Sequence, residues 1–361
     1  MLNIQLRRNS PNSRTRICRD EIATNFSYLH LPNVFNSSKM SLQPLRIPSI
    51  LTLRRPGLIF TRASQSQEHE KGSLAISPPH DVPHLQRFEE LPTWYQDNPF
   101  IRSGYRPVSY SSSTCVYSWT FLHNESLNIF THLIPAILSL VAQISIQVMI
   151  SNHFPRASKE DRLIFSLYIL SATVTLILST GYHTFMNHSF QVSSLWLRID
   201  YVGILTLILG SFFSGIYVGY YSQPILLWTY WTMIITLGVI TSILVLHPRL
   251  QGLPYRGIRI AAFVATALSG FAPIGNGLWL YGWDEMWVRS GMSFWLLEGI
   301  CYGIGAFFFA TRIPESILPG KFDILFGSHQ IFHVMVVVAS IVHIMGVWDA
   351  YRWNYYQFIH R

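Results

Sequence analysis

Hydrophobic and polar positions divide the chain unevenly. From residue 126 onward, apolar runs of about 20 residues, the length that crosses a bilayer, recur between short polar breaks. They fall near 126–150, 163–187, 196–220, 224–246, 258–281, 291–312 and 328–348. The breaks, such as Ser151 to Asp161, His247 to Pro254 and Pro314 to Gly320, are rich in charge, proline and glycine. Backbone in hydrocarbon must bond to itself, and the runs lack the alternating polar pattern of barrel strands, so helices are predicted. Tyr220, Tyr221, Trp228, Trp283 and Trp348 sit near run ends, as interfacial belts do. The expectation is an all-α integral membrane protein. Seven transmembrane helices occupy 126–350, after a disordered basic tail at 1–90 and a pre-membrane segment at 91–125, and a short tail at 351–361 closes the chain.

Composition agrees with a membrane protein. The 361 residues are 50% hydrophobic and only 12% charged, against roughly 25% charged in a soluble domain. The mean hydropathy of +0.27 is modest because the polar N-terminal part dilutes the rest. Residues 1–60 carry nine basic side chains against two acidic ones, Asp20 and Glu21. Such an Arg- and Ser-rich start is compatible with a mitochondrial transit peptide, and equally with a solvated tail beside anionic lipid. It has no apolar core and cleavage site of a secretory signal, so the first span is expected to direct insertion. The cysteines, Cys18, Cys115 and Cys301, are scattered and odd in number, which argues against disulfides and thiolate zinc sites.

On the N-terminal side of the membrane, Arg102, Arg106, Arg198, Arg249, Arg256, Arg259, Arg312 and Lys321 lie near the spans. Arg156, Lys159, Arg162, Arg289, Arg352 and Arg361 lie on the other side. The excess favours a cytoplasmic N-terminus in a multi-pass protein of the plasma membrane or endoplasmic reticulum.

Ionisable groups inside spans are costly, which makes each one a functional candidate. Glu125, Asn128 and His132 follow E-x-x-N-x-x-x-H, so one helix face carries all three. Ser179 and His183 are one turn apart at the end of the second span, and Asp200 heads the third. Ser328, His329 and His333 open the seventh. Odd spans begin, and even spans end, on the N-terminal side, so all these groups reach one leaflet whichever way the protein faces. His183, His329 and His333 then form the ligand set of a zinc site with an open fourth position, and few carboxylates converge to suit magnesium or calcium. Zinc lowers the pKa of bound water to about 7, and Asp200 could hold that water or act as general base, with Ser179 contacting the water or a substrate carbonyl. The plainer alternatives are that His132 and His343 are packing groups and that Glu125 and Asn128 cap a helix. Glu298, alone in the sixth span, has no evident partner.

At these residues the chain resembles the progestin and adipoQ receptor family, which includes adiponectin receptors and haemolysin III relatives. The resemblance runs from about Leu91 to Val347. It rests on the segment Asn98 to Pro107, on H-N-E-S-L-N-I-F-T-H at 123–132, S-T-G-Y-H at 179–183, I-D-Y-V-G at 199–203 and G-S-H-Q-I-F-H at 327–333. It implies seven helices with a cytoplasmic N-terminus, zinc held at His183, His329 and His333, and a zinc-bound water held at Asp200. The fungal branch looks nearest, with its links to zinc and to sterol or lipid homeostasis.

Two functions follow. One is zinc-dependent, ceramidase-like hydrolysis of a lipid amide, with ceramide or a sterol-like lipid as partner. The other is a receptor with structural zinc whose extracellular face binds a protein or steroid. No nucleic-acid partner is expected. A zinc transporter would need polar ligands midway through the membrane or on both sides, and the second leaflet offers only isolated groups such as Glu298. Lys39, Lys71, Lys159 and Lys321 all lie outside the spans, which excludes a retinal Schiff base, and the third span ends in Tyr220-Tyr221 rather than D-R-Y.

Overall fold

The computed structural model describes residues 84–359. The expected disordered tail therefore lies, up to residue 83, outside the described residues, as does Cys18. Residues 84–90 already belong to the fold, because Gln86 and Tyr105 exchange backbone hydrogen bonds of 2.7 and 3.1 Å.

Among the described residues nine α-helices follow: α1 (Ser112–Tyr117), α2 (Ser126–His153), α3 (Lys159–Phe185), α4 (Phe190–Gly219), α5 (Pro224–Leu246), α6 (Arg256–Leu268), α7 (Phe271–Arg289), α8 (Met292–Thr311) and α9 (Ser328–Asn354). Seven spans among the described residues are long and apolar enough to cross a membrane. Six are single helices close to the predicted runs. The fifth is built from α6 and α7 together, with a break at Ser269–Gly270 and a further kink at Gly282, whose φ of 73° only glycine adopts at little cost.

Local chemistry sets the helix ends. Ser158 and Asp161 form a capping box at the start of α3, with bonds of 3.1 and 2.7 Å. Pro224 opens α5 where its missing N–H costs nothing. α3 and α4 are the central helices: 61% of the apolar window of each is buried, against 17% for α2, whose other side faces lipid. They approach closely because Gly181 has no side chain, and a Cβ there would lie 2.2 Å from the Trp196 ring.

The end of the bundle away from the N-terminal segment is closed by an aromatic core of Phe154, Phe165, Tyr168, Tyr351 and Tyr355. This packing draws in the C-terminal residues expected to be a short tail. α9 runs to Asn354 and continues as a π-helical turn over Tyr355–Ile359, and buried Asn354 donates to the carbonyls of Val218 and Arg289 at 3.0 and 3.1 Å.

Candidate metal centre

At the opposite end, the pre-membrane segment fixes the helix termini that carry the candidate site. Arg106 is 1% exposed. Its guanidinium donates to the carbonyls of His183 and Thr184, at 2.5 and 3.0 Å, and to Ser118 Oγ at 2.8 Å. Carbonyls in the last turn of a helix lack intrahelical donors, so this cation satisfies the end of α3 where His183 stands. The start of α9 is held likewise. Glu315 accepts from the Ser328 backbone N–H at 2.8 Å and from the Ser328 hydroxyl, and takes Asn98 Nδ2 at 3.1 Å. Asp323 accepts from the Arg102 N–H at 2.9 Å and the Ser103 hydroxyl at 2.6 Å. Sequence reasoning missed Arg106 and Glu315. Arg106 lay within a quoted motif, but nothing in its spacing revealed a bond to a residue 77 positions away.

The three histidines meet. His329 Nε2 lies 3.2 Å from His183 Nε2 and 3.1 Å from His333 Nε2. Tautomers decide what this contact means. His333 Nδ1 is 3.1 Å from the Asn128 carbonyl, which can only accept, so Nδ1 carries the hydrogen and Nε2 a lone pair. His183 Nδ1 lies 2.8 Å from the Glu125 carboxylate and is fixed the same way. Two lone pairs are thus aimed at His329 Nε2, and a single N–H there could not serve both well. Three lone pairs around one cation resolve the conflict. A tetrahedral zinc with Zn–N bonds of about 2.0–2.1 Å would hold its nitrogens roughly 3.3 Å apart. The residues fit a metal.

The other candidates fall around this set. Glu125 accepts from Asn128 Nδ2 at 2.6 Å through the same oxygen that takes His183, so both residues orient a ligand and do not merely cap α2. His132 stacks on His333 with centroids 3.7 Å apart and planes 4° from parallel, and neither of its nitrogens has a hydrogen-bond partner. It stands outside the metal-donor group, whose atoms lie within 4.8 Å of one another. Buried Ser179 stands one turn before His183 and faces Asp200, which reaches across from α4 within electrostatic range of His183. Asp200 also stands outside the donor group.

Fold and cluster define a class: a seven-span helical membrane protein in which three histidines from two spans meet in a group that could hold a metal ion. The chain belongs to the haemolysin III-related, or progestin and adipoQ receptor, family. The family model described as Haemolysin-III related matches residues 120–344. The ADIPOR-like receptor IZH2 of Saccharomyces cerevisiae is 35% identical over 268 residues, 74% of this chain and 84% of that protein. The progestin and adipoQ receptor-like protein 1 of Caenorhabditis elegans is 36% identical over 261 residues, 72% of this chain and 59% of that protein. The adiponectin receptor protein of Drosophila melanogaster is 34% identical over 263 residues, covering 72% and 58%.

Proposed function

We propose that this protein binds zinc at His183, His329 and His333 and hydrolyses a lipid amide of the ceramide class, acting in lipid and zinc homeostasis signalling from a cytoplasmic-N-terminus topology. The observation that carries this reading is the meeting of His183 of α3 with His329 and His333 of α9, His329 Nε2 lying 3.2 Å from His183 Nε2 and 3.1 Å from His333 Nε2, with His183 and His333 held as lone-pair donors by Glu125 and the Asn128 carbonyl. Bound there, zinc supplies Lewis acidity and lowers the pKa of coordinated water to about 7. Asp200, which stands outside the donor group and interacts with Ser179 and His183, would serve as the proton acceptor for water at the site. Ser179 orients the Asp200 carboxyl and offers a hydroxyl to the substrate carbonyl. The flanking helices are apolar, which suits a substrate that carries an acyl chain.

Several relatives are named as receptors, which favours a second reading: structural zinc and an extracellular protein or steroid ligand. Two substitutions separate the readings. His329→Ala should remove zinc and every function. Asp200→Asn should keep zinc and fold but stop release of fatty acid from ceramide vesicles. Zinc-loaded protein with no Asp200-dependent turnover on any lipid amide would overturn the hydrolase and leave the receptor.

A further inference from the structure

Two buried histidines of the spans, His343 and His132, stand outside the cradle formed by His183, His329 and His333. His343 is accounted for by its hydrogen bonds. Its Nδ1 lies 2.8 Å from Glu298 Oε2 and its Nε2 2.8 Å from Ser214 Oγ, so Glu298 does have a partner. His132 is the opposite case. It is 3% exposed and neither nitrogen has a hydrogen-bond partner, so what it offers its neighbours is the face of its ring.

That face lies on His333. The two ring centroids are 3.7 Å apart and the planes 4° from parallel. The other cradle histidines meet their aromatic neighbours at an angle, Tyr182 lying at 64° to His183 and Phe309 at 53° to His329. Among the described residues, His333 is thus the one cradle histidine with a ring stacked flat upon it.

A hydrogen bond alone would leave His333 under-determined. Its Nδ1 reaches the Asn128 carbonyl at 3.1 Å, with Thr131 Oγ1 beside it at 3.4 Å, and carbonyl oxygens accept over a broad range of directions. The ring would be free to swing about that bond, and the Nε2 lone pair, which lies in the ring plane, would swing with it. A ring packed flat on one face removes this freedom. The stack also responds to charge. A cation on Nε2 draws electron density from the imidazole, and a partly positive ring is attracted to the electron-rich face of a neutral aromatic one. Contact between His132 and His333 is therefore stronger with a metal bound than without.

The helix that brings His132 to this place needs its own anchorage. α2 buries only 17% of its apolar window. Polar rungs tie it to α3: Ser139 Oγ and Thr173 Oγ1 are 2.7 Å apart, and Gln147 Nε2 donates to Ser166 Oγ at 2.8 Å and to the Arg162 carbonyl at 3.1 Å. Within hydrocarbon such bonds hold one helix in register on another, and so hold His132 over His333.

We infer that His132 is a positioning residue of the metal centre, fixing the plane of His333 through its ring face while its nitrogens take no part. The inference rests on the proposed zinc reading. Its test is zinc affinity, measured by chelator competition on purified full-length protein in detergent, for wild type, His132→Leu, His132→Gln and His132→Phe, with the metal-free thermal midpoint checking each fold. Leucine and glutamine remove the ring, glutamine keeping a polar group, whereas phenylalanine keeps a ring and discards the nitrogens. Both ringless variants should bind zinc roughly three- to tenfold more weakly, the worth of one aromatic pair, and phenylalanine should restore most of the loss. The visible spectrum of the cobalt-substituted protein reports ligand geometry rather than stability. It should change in the ringless variants and return toward wild type in His132→Phe. Wild-type affinity in His132→Leu would overturn the inference. So would tighter binding by His132→Gln than by His132→Phe, which would assign the role to the nitrogens. Wild-type protein that takes up no zinc would instead overturn the zinc reading, and this inference with it.

Discussion

Glu125 offers the sharpest test of how the cradle is held. Its Oε2 takes both the His183 Nδ1 hydrogen, at 2.8 Å, and Asn128 Nδ2, at 2.6 Å. Glu125→Gln can keep both contacts through its amide oxygen and loses only the charge. A hydrogen bond to a charged acceptor is worth about 1.5–3 kcal/mol and a neutral one about 0.5–1.5, so the substitution should weaken His183 as a ligand by roughly 1–1.5 kcal/mol. That is about tenfold in zinc affinity. Glu125→Ala removes both contacts and frees His183 to place its hydrogen on Nε2, where it blocks the metal. The loss should approach about a hundredfold, the upper range for a partner of a metal-bound histidine. Competition with a chelator of known affinity, on purified protein in detergent, measures both. The ordering matters as much as the size. Wild-type zinc affinity in Glu125→Ala would refute the tautomer argument, because an unoriented His183 would then bind as well as an oriented one.

Other outcomes follow from the same geometry. Arg106→Met leaves the His183 and Thr184 carbonyls and Ser118 without their donor, and should cost on the order of 3 kcal/mol, read as a lowered thermal midpoint with parallel loss of zinc. Gly181→Ala drives a methyl into Trp196 and should destabilise by about 1–3 kcal/mol while zinc stoichiometry in the folded fraction holds. His123, outside the spans, is pushed down to about 3 by burial and then by the charge of Arg106. The unfolded chain protonates it near 6.5 and the folded protein does not, so stability should fall as pH drops from about 6.5 toward 3, by up to about 1.4 kcal/mol per unit. His123→Gln should flatten that dependence in acid-unfolding curves.

The spans were legible because hydrophobic length is a local property. Six of seven helices fall where the apolar runs lie, and only the fifth differs. Its interruptions at Gly270 and Gly282 look from sequence like glycines any membrane helix tolerates. The leaflet shared by His183, His329 and His333 was legible from the parity of the spans. Their contact was not, since parity fixes depth and leaves rotation about each helix axis free. The same gap hid the Glu298–His343 pair, 45 residues apart on neighbouring helices. Arg106 and Glu315 were harder still. They act from segments outside the membrane, where no periodicity constrains which carbonyl or hydroxyl a side chain finds. The residues from 351 onward lie beyond the last apolar run, and nothing local in the sequence shows that Tyr351, Asn354 and Tyr355 are buried against other helices.

The cradle is assembled from distant parts of the chain: His183 precedes His329 by 146 positions. During synthesis the second span leaves the ribosome with one imidazole, which cannot retain a metal alone, and its partners arrive only with the final span. On the proposed function, ion capture would therefore be the last event of biogenesis rather than an aid to early folding. Truncations before residue 333 should then yield inserted but metal-free chains, a proposal checked by metal analysis of the purified fragments.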